Sequence, residues 1–224
     1  MNNLIITIDG PAASGKSSVA QRVARALACT FLDTGAMYRG VTLLAMKSGT
    51  PLTDVQAILR LIDSHVLAFA PGDSRMTVSI DGRDVTEEIR DPQVTVNICI
   101  IAEAPELRRH LVDLQRDFAR QYPRLVTEGR DQGTVVFPDA NLKFFLTANA
   151  LERAKRRQLE LKAKGIESDL QTLKQAVESR DLSDQQRAVG PLKRADDAID
   201  IDTTGLTLTQ VVDTILNRTG ELAS

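Results

Sequence analysis

One run of eight residues limits this chain more than any other feature: Gly10-Pro11-Ala12-Ala13-Ser14-Gly15-Lys16-Ser17. It fits G-x-x-x-x-G-K-[ST], a phosphate-binding pattern that works only between a strand and a helix. Both neighbours are predicted here. Leu4 to Ile8 is a short apolar run that reads as a buried strand, and Ser17 to Ala28 reads as a helix with Val19, Val23, Ala24 and Leu27 on one face. The glycines let the backbone curl so that its N–H groups face phosphate oxygens. The helix start adds the positive end of its dipole. Lys16 offers a mobile cation to the β- and γ-phosphates, and Ser17 offers a hydroxyl to Mg²⁺. A chance match in a Gly-rich turn is the bland alternative, and the strand-then-helix context argues against it. The loop predicts nucleoside triphosphate binding without naming the reaction, since GTPases, transport ATPases and small-molecule kinases share it.

The rest of the chain repeats the same rhythm. Phe31 and Leu32 make a short strand ending at Asp33. Leu125–Thr127, Leu142–Thr147 and Ala198–Ile201 read as further buried strands, and a last helix runs from about Thr209 to Arg218. Buried strands separated by helices predict a parallel sheet covered on both faces. The stretch from His65 to Ile89 differs. Met76, Val78 and Ile80 alternate with polar residues, and Asp81-Gly82 supplies a hairpin turn, so a small antiparallel sheet is expected inside the α/β core. Pattern alone leaves open whether it is functional or a surface decoration. There is no internal repeat and no low-complexity tract.

Charge and composition then exclude several partners. Twenty-eight basic against 30 acidic residues leave a net charge of -2, without the basic surplus of a nucleic-acid binder. Aromatic residues are 4% with no Trp, too few for a base-stacking surface. No apolar run approaches the ~20 residues of a membrane span, and the N-terminal segment lacks the features of a signal peptide. Cys29 and Cys99 form neither a disulfide framework nor a zinc motif. A monomer in a reducing cytoplasm is expected, with no nucleic-acid or membrane partner.

The chain has no guanine-reading N-K-x-D after a strand and no D-E pair closing an apolar strand. It does have arginines where a second phosphate could sit. Arg39 follows Asp33-Thr34-Gly35-Ala36-Met37-Tyr38, and Arg130 follows the Leu125–Thr127 strand in Glu128-Gly129-Arg130-Asp131. Both belong beyond the carboxyl ends of strands, where ligands bind in open α/β sheets. Arg153, Arg156 and Arg157 share one helical flank, and Arg180, Asp184 and Arg187 share another. A solvated helix face is the plain reading of the first trio taken alone, and a structural salt bridge is an alternative for Arg130-Asp131. Together with the loop, the set suits phosphoryl transfer, which needs two anions placed in line, cations around the moving group, and exclusion of water.

The chain resembles the bacterial cytidylate kinase family of P-loop nucleoside monophosphate kinases over nearly its whole length. The residues that carry the resemblance are Ile8-Asp9-Gly10-Pro11 running into the loop, Leu32-Asp33-Thr34-Gly35-Ala36-Met37-Tyr38-Arg39, Gly129-Arg130-Asp131-Gln132-Gly133-Thr134-Val135-Val136-Phe137-Pro138, and Arg187-Ala188-Val189 with Pro191-Leu192. The fold class it implies is α/β: a P-loop three-layer sandwich with a five-stranded parallel sheet, a small antiparallel β insertion and a helical lid. The core would take about 1–64, 123–148 and 190–224, the monophosphate-binding insertion about 65–122, and the lid about 149–189. The activity it implies is transfer of the γ-phosphoryl group of ATP, with Mg²⁺, to CMP and dCMP.

The resemblance also implies roles. Gly10, Pro11, Ala12, Ala13, Ser14, Gly15, Lys16, Ser17 and Ser18 would hold ATP, with Ser17 on the metal. Arg39, Arg130 and Arg187 would hold the CMP phosphate with Tyr38 assisting, and Arg180 and Asp184 the ribose. Thr34, Arg108 and Asp131 would read cytosine. The chemistry agrees at Asp131, because a carboxylate accepts from the exocyclic amine that uracil lacks. Lys16, Arg130, Arg187, Arg153 and Arg157 would act on the transferred group, the last two from the lid. One position departs: Cys99 stands where many relatives carry a base-contacting serine, and a thiol is a poor hydrogen-bonder. Either the contact is weakened, or Asn97 substitutes, or Cys99 is a small buried hydrophobe. Competing readings are a kinase for another nucleoside monophosphate or small acceptor, and a nucleotide-gated binding module.

Overall fold

The structure is a computed structural model, and it describes residues 3–72, 75–163 and 165–221. Met1 and Asn2, part of the segment judged unlike a signal peptide, lie outside the described residues, as does Lys164 in the expected lid. In chain order the elements are β1 (Leu4–Asp9), α1 (Lys16–Ala26), β2 (Thr30–Asp33), α2 (Thr34–Lys47), α3 (Val55–Ser64), β3 (Leu67–Ala70), β4 (Thr77–Ile80), β5 (Arg83–Asp84), α4 (Pro92–Glu103), α5 (Pro105–Gln121), β6 (Arg124–Gly129), β7 (Leu142–Thr147), α6 (Ala150–Lys162), α7 (Leu170–Gln186), β8 (Ile199–Asp202) and α8 (Leu208–Glu221). A 3₁₀ turn at Glu88–Arg90 and a π-helical turn at Gln132–Val136 complete them. The large sheet has five strands in the order β2-β6-β1-β7-β8, and the small one has three, β3-β4-β5. Both sheets are those the sequence predicts.

The chain divides into two compact units, one of residues 1–29 and 124–224, the other of residues 30–123. In the first, β1 lies between β6 and β7 in parallel register, and β8 extends the sheet beside β7. Ile6, Ile8, Leu125, Val126, Phe144 and Leu146 are buried, and Val19, Ala20, Val23 and Ala24 of α1 cover them. Leu27, expected on that face, stands just past the helix end and is only half-buried, because the helix stops at Ala26. Burial on both faces of β1, β6 and β7 explains their continuous apolar runs.

In the second unit, α2 is buried along most of its length, from Thr34 to Ala45. Asp33 caps it, accepting the Ala36 N–H at 2.9 Å. The helix carries Gly40 where a Cβ would come within 3.2 Å of Val78 Cγ1, so β4 packs directly on the helix backbone. The β4–β5 hairpin turns at Asp81 (φ 51°) and Gly82 (φ 78°), the left-handed pair a two-residue turn needs. Asp81 holds the turn by accepting the Val66 N–H at 2.8 Å and facing His65 Nδ1 at 2.7 Å.

Candidate active site

The first unit joins the phosphate loop to an arginine cluster. Gly10 follows Asp9 at the carboxyl end of β1, where a Cβ would stand 2.0 Å from the Leu146 carbonyl oxygen, so only glycine lets the chain leave the sheet here. Lys16 opens α1 and is buried. Its ammonium donates to the Pro11 carbonyl at 2.7 Å and to Ser14 Oγ at 3.4 Å, so it lies folded along its own loop. Burial, then the nearby Arg130 charge, lower its pKa to about 7. Ser17 Oγ donates to Glu128 Oε1 at 2.8 Å. That hydroxyl and carboxylate are hard oxygen donors of the kind Mg²⁺ takes beside nucleotide phosphates, so the site fits the metal. Among the described residues no cluster of three or more metal-ligating side chains exists, and Mg²⁺ bound mainly through phosphates and water needs none.

Beside the loop, Asp184 gathers arginines. Its side chain is fully buried, and it accepts from Arg130 Nε at 2.6 Å, Arg180 Nε at 3.1 Å and the Arg187 guanidinium. Burial pulls its pKa upward, but the three arginines outweigh that and hold it below the usual carboxylate range. Arg130 is therefore paired with Asp184, fifty-four positions on, rather than with its neighbour. Asp131 is buried at the start of the π-helical turn.

The trio on α6 splits. Arg153 is 5% exposed. It donates to the Ala148 and Ala12 carbonyls at 3.0 and 3.1 Å and pairs with Asp181 at 2.6 Å. Arg156 reaches the Ser14 carbonyl at 3.4 Å and Thr203 Oγ1 at 2.9 Å. Arg157 turns away and pairs with Glu160 at 3.0 Å. Two of the three thus grip the phosphate loop, so this flank is not simply a solvated face.

The second unit assembles the remaining residues. Thr34, Tyr38 and Arg108 are buried, and the Arg108 guanidinium carbon stands 5.7 Å from the Tyr38 ring centroid. Arg39 approaches Asp33 Oδ1 at 3.5 Å, and Arg90 lies 3.8 Å from the other oxygen of that carboxylate. Burial lowers the Arg90 pKa, with Asp33 opposing and Arg39 adding to it. Cys99 donates along its own helix to the Val96 carbonyl at 3.1 Å, and Asn97 to the Gln93 carbonyl at 2.9 Å.

Sequence reasoning gave no role to Asp9, Glu128 or Asp181 on the first unit or to Arg90 on the second, and it named Arg156 only as one of a helical trio. Glu128 carried a legible signal, an acid closing a buried strand. Asp181 had only its three-residue spacing from Asp184.

A strand, a phosphate loop with a buried lysine, and an arginine cluster beside it define a phosphoryl-transferring P-loop kinase. The family model described as cytidylate kinase matches residues 6–221. A protein of Streptococcus pneumoniae strain 70585 named cytidylate kinase is 46% identical over 216 residues, covering 96% of each chain, and that of strain D39 is equally similar. The chain belongs to the cytidylate kinase family. Solved structures extend the likeness in fold alone: an uncharacterised protein of Eubacterium ventriosum has a TM-score of 0.54 at 14% identity, covering 98% of this chain and 99% of that one. The Thermus thermophilus protein TT1252 has 0.50 at 18%, over the full length of both.

Proposed function

We propose that this protein transfers the γ-phosphoryl group of ATP to CMP, giving CDP and ADP, and that dCMP serves as acceptor too. The observation that carries the reading is the pairing, in one unit, of the Lys16 loop with the Arg130–Arg180–Arg187 cluster on Asp184. Ala12 of the loop and Arg153 both meet Asp181 on α7, three residues before Asp184, so the loop and the arginine cluster are neighbours. Two phosphates held side by side by fixed cations meet the main demand of phosphoryl transfer, which asks the protein for little covalent chemistry.

The loop N–H groups and Lys16 bind the donor phosphates. Ser17 with Glu128 would hold the Mg²⁺ brought with ATP, which would supply positive charge against the phosphates. Arg39, Arg130 and Arg187 grip the acceptor phosphate with Tyr38, while Arg180 and Asp184 meet the ribose. Thr34, Arg108 and Asp131 select cytosine. Arg153 and Arg157 close from the lid, excluding water and strengthening the field on the transferred group. Among the described residues no helix is long and apolar enough to cross a membrane. We place the enzyme in the cytoplasm as a monomer.

An acceptor screen tests the reading. ADP formation should depend on CMP or dCMP, with UMP and AMP much poorer. ADP release that needs no small acceptor would overturn the kinase in favour of a nucleotide-gated binding module. Preference for UMP or AMP would overturn the choice of base.

A further inference from the structure

Asp9 is a buried acid that none of these roles uses. It is the last residue of β1, and parallel register sets it beside Gly129, the last residue of β6. Just beyond Gly129 the chain passes through Arg130 and Asp131 and winds into the Gln132–Val136 turn. That turn is π-helical: Val136 N–H donates to the Asp131 carbonyl at 3.2 Å, and Phe137 N–H to Gln132 at 2.7 Å. The first N–H groups of any helical turn have no partner within it, and Asp131 does not cap this one with its side chain. Asp9 does so from the neighbouring strand. One carboxylate oxygen accepts the Gln132 N–H at 2.9 Å, and the other accepts the Gly133 N–H at 2.7 Å. Thr127 Oγ1 adds a bond to Gln132 Oε1 at 2.9 Å. The residue before the strapped pair is Asp131, whose backbone leaves the strand at φ −142° and ψ 23°.

We propose that Asp9 is a positioning residue for acceptor selection: by taking both N–H groups at the start of the π-helical turn, its carboxylate fixes where Asp131 meets the base. The proposal rests on the reading that Asp131 recognises cytosine. Asp9 is only 4% exposed, and burial raises its pKa to about 7 against the pull of those two N–H groups. An acid retained at such a desolvated place matches a demand for two acceptor oxygens on one side chain. An amide cannot meet that demand, because its nitrogen would confront a second donor.

The test compares kcat/KM for CMP and UMP in the parent, Asp9→Asn, Asp131→Asn and the double variant. Asp9→Asn should lower the CMP/UMP ratio on the order of tenfold, within the range for one specific base contact. It should do so chiefly through the KM for CMP. In the Asp131→Asn background the same change should move the ratio little, since the contact it positions is already gone. Equal losses for CMP and UMP in Asp9→Asn, with Asp131→Asn altering the ratio, would overturn the proposal and leave Asp9 acting on the phosphate loop. An unchanged ratio in Asp131→Asn would instead overturn the base-reading role itself. Asp9→Ser, with one short acceptor, is a second variant judged by the same ratio. If neither Asp9 variant folds, as judged by thermal melts, the residue is structural and the proposal fails.

Discussion

Replacing Asp184 by Ala should unsettle the protein in a way that a phosphate ion repairs. The side chain is fully buried and pairs with three arginines, of which Arg187 is 4% exposed. Breaking a buried ion pair by removing one partner costs ~3–5 kcal/mol, because a charge is left buried without compensation. Arg130 and Arg180 are 21% and 29% exposed, so water screens part of their loss and the low end, about 3 kcal/mol, applies. For a chain of this size each kcal/mol moves the melting temperature by roughly 2–4 °C, giving a fall of about 6–12 °C at pH 7. The pH dependence has a definite sign. Asp184 titrates below its unfolded value of 3.8, so its contribution is present above that pH and is lost as acid protonates it in the fold. The gap between parent and variant should therefore hold steady from about pH 6 to 8 and close in acid below about pH 4. Scanning calorimetry with and without inorganic phosphate is the assay. Phosphate should raise the variant's melting temperature more than the parent's, because it enters an arginine cluster from which the competing carboxylate is gone. A variant that melts within about 2 °C of the parent, or gains no more from phosphate, would refute the idea that Asp184 holds the cluster together.

Three further outcomes follow from the same geometry. Lys16→Ala should keep the fold but lose at least ~10² in kcat, the scale for removing one preorganised charge, and activity within a few-fold of the parent would dismiss the loop assignment. In the free protein the raised Asp9 pKa makes stability fall as pH rises from 3.8 toward about 7, while the lowered Lys16 pKa makes it rise from about 7 toward 10.5. Denaturant melts in buffers across that range should show this dip near neutrality, with Lys16→Ala removing its alkaline side. Hydrogen exchange should show amides of Leu151–Leu161 gaining protection when CMP and a non-hydrolysable ATP analogue are added together. Equal exchange with and without ligands, with Arg157→Ala leaving kcat nearly untouched, would end the lid role for Arg153 and Arg157.

What the sequence determined by itself was everything that local pattern encodes. The Gly10–Ser17 spacing, the β-branched run before it and the apolar stripe after it fix strand, loop and helix, because backbone geometry and helical period act over a few residues. Alternation at Met76, Val78 and Ile80 with Asp81-Gly82 fixed the hairpin for the same reason. The spacing of Arg180 and Asp184 placed them on one face of α7, and there they meet; Arg187, expected on the same face, stands just past the helix end and reaches Asp184 from there. Tertiary structure alone decided which distant charges pair. Arg130 stands beside Asp131 in the chain but takes its ion pair from Asp184, because β6 ends where α7 passes. Arg153 and Arg157 are the same residue type about one turn apart on α6. One is buried on the loop and an acid of α7, and the other is turned to its own helix, since a helix presents only part of its circumference to the body it packs on. Asp9 looked like a residue of the loop motif. Its two bonds go to Gln132 and Gly133, over a hundred positions away, and only the parallel pairing of β1 with β6 brings them within reach.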